Sequence, residues 1–152
     1  MTRMELKIPP LLVLAATAFM MWLTTKILPP TTLTPQQPWC ARLLFVAGGC
    51  IIAAGIAAFN RARTTVNPMN TELSSGMVSN GIYHFSRNPM YLGMTFILAG
   101  WALWLEQATA WLGVIGFAAY IHRFQILPEE RILAAKFGAS YQAYCRSTRR
   151  WL

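Results

Sequence analysis

The stretch at positions 81–93 reads GIYHFSRNPMYLG and lies where a polar loop meets an apolar run. It places His84, Arg87 and two tyrosines, Tyr83 and Tyr91, at the mouth of a predicted membrane helix. Charge at such a boundary is costly in hydrocarbon and usually serves a ligand. The stretch is therefore the first candidate for a functional site.

The composition predicts an integral membrane protein. Of the 152 residues, 55% are hydrophobic and only 12% are charged, which is too apolar for a soluble domain of this length. The net charge of +8 does not indicate nucleic-acid binding, because the basic residues lie beside apolar runs. All 5 acidic residues are glutamates, so chemistry that needs an aspartate is excluded. The 3 cysteines have no CxxC spacing, so we expect no metal site.

Apolar segments of bilayer length predict about four transmembrane helices in one domain, residues 1–152. The segments from Leu11 to Leu28 and from Trp39 to Phe59 approach the roughly 20 residues that a span needs. The segment from Met90 to Ile121 is too long for one span. Because it is interrupted at Glu106 and Gln107, it predicts a hairpin of two shorter arms. Recurring glycines in these spans favour close helix packing.

The basic residues predict the orientation. Lysine and arginine occur in the amino-terminal tail, in the loop after the second span and in the carboxyl-terminal tail, which places all three on the cytoplasmic side. We therefore predict a protein of a prokaryotic inner or plasma membrane with both termini cytoplasmic. The residues that carry this prediction are Arg3, Lys7, Arg61, Arg63, Arg87, Arg123, Arg131, Lys136, Arg146, Arg149 and Arg150.

Two segments form the predicted cytoplasmic face. The loop from Asn60 to Asn88 is rich in polar residues and glycine and predicts irregular structure. The tail from Pro128 onward predicts a helix at the membrane surface, with Glu129 and Glu130 in its first turn. An aromatic stripe follows at helical spacing, formed by Phe137, Tyr141 and Tyr144.

Each residue of the motif has a structural alternative. Asn88 and Pro89 suit the N-cap and first residue of a helix, whose free N–H groups also suit an anion such as a carboxylate. Arg87 would reinforce that anion site, or it is an interfacial anchor. Tyr83 and Tyr91 otherwise belong to an aromatic belt, and His84 to an exposed loop.

The acidic pair, Glu129 and Glu130, allows two interpretations as well. Glutamates in a first helical turn stabilise the helix dipole without further function. A pair of acids beside a membrane boundary is also suited to an ammonium group or to ribose hydroxyls.

Two blocks, GIYHFSRNPMYLG and LPEERILAAKFGASYQAYCRSTRRW at positions 127–151, together resemble the signature of a membrane methyltransferase family. That family includes isoprenylcysteine carboxyl methyltransferase and phosphatidylethanolamine N-methyltransferase. The resemblance covers approximately residues 60–152 and implies a half that binds S-adenosylmethionine between the last membrane helices and the carboxyl-terminal segment. It implies methyl transfer to a small or lipid-like acceptor at the cytoplasmic membrane face.

The resemblance also implies residue roles. Arg87 and Glu130 are the best candidates for a catalytic role, although none is assigned. The implied cofactor-binding residues are Tyr83, His84, Arg87, Asn88, Pro89, Tyr91, Gly93, Glu129 and Glu130.

The sequence allows alternatives for the substrate tunnel, the acceptor and the activity. Only two spans precede the conserved half, so the substrate tunnel is small or is completed by a second protomer in a homo-oligomer. A small lipid, a thiol or another hydrophobic acceptor is preferred over a prenylated protein. The alternatives are a reductase of isoprenoids or sterols that uses NADPH, and a noncatalytic membrane protein of the same fold.

Overall fold

A computed structural model describes residues 5–28, 37–62 and 78–152. Within these ranges every regular element is helical, as the all-α prediction required. A 3₁₀ turn at Gly81–His84 precedes the third helix, and a π-helical turn at His122–Ile126 joins the fourth helix to the fifth. The helices are α1 (Pro10–Thr24), α2 (Gln37–Arg61), α3 (Pro89–Trp104), α4 (Ala110–Ile121) and α5 (Leu127–Ser147). The predictions that involve Arg3, Arg63, residues 29–36 and residues 63–77 lie outside the described residues.

The predicted hairpin is confirmed as α3 and α4, and its interruption lies at Glu106, which has a φ of 52°. Helix α1 ends at Thr24 rather than at Leu28. The Thr24 hydroxyl donates to the carbonyl of Met21 at 2.6 Å, and the chain then turns. These boundaries differ little from those that hydropathy predicts.

Helices α2 and α3 approach each other backbone to backbone. A Cβ on Gly93 would lie 2.7 Å from the Gly48 carbonyl oxygen, and a Cβ on Gly48 would lie 2.6 Å from that of Gly93. The predicted role of the glycines in close packing is therefore confirmed at this crossing.

The buried core lies mainly among α1, α3, α4 and the π-helical turn. Its members are Met21, Tyr91, Met94, Leu98, Ala102, Ala110, Val114, Phe117, Ile121 and Ile126.

Among the described residues, two helical stretches are long and apolar enough to cross a membrane. Pro38–Arg61 has 24 residues and a mean hydropathy of 2.1, and Ala110–Ser147 has 38 residues and a mean hydropathy of 1.2. Helices α1 and α3 are apolar but shorter. Large apolar side chains such as Leu12, Phe19 and Leu43 are more than half exposed, which suits contact with lipid better than contact with water.

The tail differs from its prediction in two ways. Helix α5 does not start after a break at Pro128, because the chain stays helical from α4 through the π-helical turn, where the Leu127 N–H bonds to the His122 carbonyl. The prediction of one aromatic stripe is wrong. Gly138 has a φ of 51° and a ψ of −122°, so α5 bends between Phe137 and Tyr141. The irregular loop prediction also misses the 3₁₀ turn at Gly81–His84.

Candidate functional site

The start of α3 presents the 81–93 segment. Asn88 is the N-cap and Pro89 the first helical residue, as predicted, but the Asn88 side chain does not cap the helix. Its Nδ2 instead donates to the Arg150 carbonyl at 2.9 Å. Tyr83 is buried in the 3₁₀ turn, with its ring edge-on to Phe59 at 5.3 Å between centroids. The segment is thus held between α2 and the carboxyl-terminal residues.

Hydrogen bonds join the 81–93 segment to the end of α5. The Arg87 N–H donates to the Arg149 carbonyl at 2.9 Å. The Tyr144 hydroxyl donates to the Tyr83 carbonyl at 2.6 Å. These bonds bring together two parts of the chain that are about sixty residues apart in sequence.

Glu129 contacts α3 directly. The Tyr91 hydroxyl donates to Glu129 Oε1 at 2.5 Å. Burial raises the pKa of the Glu129 carboxyl to about 8, the Tyr91 hydrogen bond opposes this rise, and the neighbouring Glu130 charge adds to it. The carboxyl therefore holds its proton near neutral pH unless a cation approaches it.

Glu130 lies in a different electrostatic environment. Arg150 donates to its two carboxylate oxygens from Nε at 2.9 Å and from Nη2 at 2.7 Å, a bidentate arrangement. Arg87 Nη1 lies 3.3 Å from Glu130 Oε1, and these two side chains are 13% and 16% exposed. Two guanidinium groups thus compensate the charge of this carboxylate.

Arg87 retains a free donor. Its Nη1 donates to the Cys145 sulfur, and its Nε is buried without an acceptor among the described residues. Buried N–H groups nearly always have a partner, so an orphan is a structural reason to expect a ligand atom. An arginine donor, a protonated carboxyl and a helix start together suit a ligand that carries both a carboxylate and a cationic group.

The predicted site residues divide into two groups in the structure. Gly93 packs against α2, Pro89 is buried at the start of α3, and the His84 ring is exposed beside Phe85. The contact network between the two segments contains Tyr83, Arg87, Asn88, Tyr91, Glu129 and Glu130.

Sequence reasoning missed three members of this network. The sequence assigns Arg150 only to the basic residues that predict the orientation, yet it pairs with Glu130. Tyr144 and Cys145 also contact the 81–93 segment. The scarcity of acids was the available signal, because a partly buried glutamate among thirteen basic residues must find a cation.

The amino-acid sequence matches one protein family over most of its length. The family model described as phospholipid methyltransferase matches residues 37–140, which is more than half of the chain. The chain therefore belongs to this family of membrane methyltransferases, as the resemblance implied.

Two relatives are similar to parts of the chain. The chain is 30% identical over 108 residues to protein-S-isoprenylcysteine O-methyltransferase A of Arabidopsis thaliana. That match covers 69% of this chain and 53% of the plant protein, so the chain spans about half the length of that relative. It is also 51% identical over 63 residues to an uncharacterized protein of Haemophilus influenzae, covering 41% of this chain and 100% of the other. No solved structure matches the chain.

Proposed function

We propose that this protein transfers a methyl group from S-adenosylmethionine to a small or lipid-like acceptor at the cytoplasmic membrane face. One observation carries the proposal. The two segments that resemble the methyltransferase signature contact each other through the Tyr91–Glu129 hydrogen bond and the Arg87–Glu130 ion pair. The family membership supports the same activity.

The donor set fits the proposed cofactor. S-adenosylmethionine carries a carboxylate, an ammonium, ribose hydroxyls and an adenine ring. The buried Nε of Arg87 and the start of α3 suit the carboxylate, while Glu129 suits the ammonium or the ribose hydroxyls. Tyr144, which is partly exposed beside Tyr83, offers a face on which a planar ring can pack.

Methyl transfer from this cofactor requires few catalytic groups from the protein. When bound, the cofactor supplies a methyl group on a sulfonium that is already electrophilic. The residues of the site must align the acceptor with that methyl group and exclude water. An ionised carboxylate acceptor needs no general base, whereas an amine or thiol must first lose a proton.

The helix lengths support access from the bilayer. We propose that α1 to α4 span the membrane with both termini cytoplasmic. Helix α3 has 16 residues, about 24 Å at 1.5 Å per residue. It is shorter than the hydrocarbon core, which is about 30 Å thick. A site at the cytoplasmic end of α3 would then lie within reach of an amphiphile that enters sideways.

The activity can be tested with labelled cofactor. Membranes that contain the protein are incubated with methyl-labelled S-adenosylmethionine, and the lipid and small-molecule fractions are analysed for label. We expect one fraction to gain label with wild-type protein and to lose most of it with Arg87→Ala. Glu106→Gln, in the α3–α4 turn, is the matched control.

Binding measurements address the alternatives. Thermal stabilisation of the purified protein by S-adenosylmethionine and S-adenosylhomocysteine is expected. Stabilisation by NADPH alone would point to a reductase, and no response to any of the three would point to a noncatalytic protein.

A further inference from the structure

Glu129 and Glu130 follow the π-helical turn that connects α4 to α5 in a continuous helical stretch of 38 residues. We call this turn the α4–α5 joint. The π-helical turn at His122–Ile126 connects α4 to α5, and Glu129 comes three residues after it. In a π-helical turn the backbone hydrogen bonds join residues five apart instead of four apart, and such turns occur frequently at functional sites. The geometry of this joint therefore decides where Glu129 and Glu130 lie relative to α3.

Residues 5–8, here called the amino-terminal clamp, form two hydrogen bonds to the joint. Both use the backbone of the clamp, and one of them comes from a side chain of the joint. The Leu6 N–H donates to the Phe124 carbonyl at 3.1 Å. Gln125 is fully buried, and its Nε2 donates to the Ile8 carbonyl at 2.7 Å. Both contacts are made to residues inside the π-helical turn.

Glu5 bridges the two sides of the joint. Its Oε1 lies 3.3 Å from Arg123 Nη1, within the π-helical turn. Its Oε2 lies 2.7 Å from Arg131 Nη2, in the first turns of α5. The Glu5 side chain is only 1% exposed, whereas those of Arg123 and Arg131 are 50% and 57% exposed. A buried carboxylate that pairs with one arginine of the π-helical turn and one arginine of α5 restrains the geometry between these two elements.

We infer that Glu5 is a positioning residue: by bridging Arg123 and Arg131 it fixes the α4–α5 joint and so holds Glu129 and Glu130 against α3. This inference rests on the proposed function, because it concerns the cofactor site. Arg131 is the next residue after Glu130, so a change in its position is transmitted directly to the acidic pair. The cations of the site, Arg87 and Arg150, pair with Glu130.

The inference predicts a loss of cofactor affinity without a loss of fold. In Glu5→Gln the exposed arginines can be solvated, so the protein is expected to fold. The dissociation constant for S-adenosylhomocysteine is expected to rise by a factor of about 5 to 150, the usual range for coupling between two sites. The matched control is Lys7→Gln, an exposed residue of the same clamp.

Isothermal titration of nanodisc-embedded protein, performed well below the unfolding temperature, separates positioning from general stability. A residue that only stabilises the fold changes the unfolding temperature and leaves the dissociation constant of the folded protein unchanged. Unaltered affinity in Glu5→Gln would overturn the inference. If wild-type protein binds neither S-adenosylmethionine nor S-adenosylhomocysteine, the proposed function fails instead. Arg131→Gln should weaken binding similarly and add little to Glu5→Gln in the double variant; fully additive effects would contradict the bridge.

Discussion

At the residue scale, Glu129 and Glu130 are neighbours in sequence with opposite electrostatic surroundings. Two arginines neutralise Glu130, whereas Glu129 receives a hydrogen bond from an uncharged tyrosine. The family resemblance implies that both acids belong to the site. The sequence does not predict which acid stays protonated, because Tyr91 and Arg150 lie 38 and 20 residues away from their partners.

We expect Glu129 to make binding of the proposed cofactor depend on pH. With a pKa of about 8 the carboxyl is mostly protonated near neutral pH, and an approaching ammonium or sulfonium would lower that pKa and expel the proton. We therefore expect binding near neutral pH to release a fraction of one proton per cofactor. Titration calorimetry in buffers of different ionisation enthalpy measures this number. It should fall to near zero in Glu129→Gln, and an unchanged value would show that another group titrates.

Glu129 also makes stability depend on pH. Folding raises its pKa from 4.5 to about 8, so the folded state binds the additional proton between these pH values. The stabilising contribution is complete below the lower value and is lost as the pH rises through about 8. The unfolding temperature of the wild type should therefore fall by a few degrees more than that of Glu129→Gln between about pH 5 and pH 8.5. Parallel curves for the two proteins would contradict the assignment, and Glu106→Gln serves as the control.

At the element scale, the α2–α3 crossing depends on its two facing glycines. In Gly93→Ala the new methyl group would overlap the Gly48 carbonyl, which is backbone and cannot rotate away. The helices must separate, at a cost of about 1–3 kcal/mol in the free energy of unfolding. Gly49→Ala is the control, because nothing lies within 4 Å of its Cβ. Thermal unfolding in detergent compares the two, and equal stability would mean that the helices are less closely packed than described.

The elements also define what periodicity can predict. Apolar runs and the interruption at Glu106 predict the four helices and the α3–α4 hairpin, because hydropathy reports burial in lipid directly. Periodicity could not predict that α4 continues into α5. Proline is tolerated in the first turn of a helix, so Pro128 does not distinguish a new helix from a continuing one. The bend at Gly138 could not be predicted from the sequence either, because a glycine within a helical pattern does not indicate whether its φ is positive.

At the scale of the whole molecule, the charge pattern predicts one orientation of the four helices. We expect the α3–α4 turn to face the side opposite the cytoplasm and both termini to face the cytoplasm. Single-cysteine variants in a cysteine-free background test this with a membrane-impermeant thiol reagent. Glu106→Cys should react from outside the intact cell, and Lys7→Cys only after lysis. The reverse pattern would contradict the orientation.

The candidate site brings the 81–93 segment together with the carboxyl-terminal residues. No local sequence pattern specifies that these two segments are in contact. The tyrosine, arginine and glutamate residues were recognisable from two motifs, while their pairing required the fold. Helices α1 and α4, the π-helical turn and the clamp at residues 5–8 together set the position of the acidic pair. A site built this way depends on contacts that are distant in sequence, so its full membership emerges only from the structure.

We propose that S-adenosylmethionine binds between the 81–93 segment and α5. The most direct test of this claim is ultraviolet cross-linking of methyl-labelled S-adenosylmethionine to the purified protein, followed by peptide mapping. We predict label in peptides from residues 78–93 and 127–152, and its loss when excess S-adenosylhomocysteine competes. Label confined to residues 5–28, or label that the competitor does not reduce, would contradict the claim.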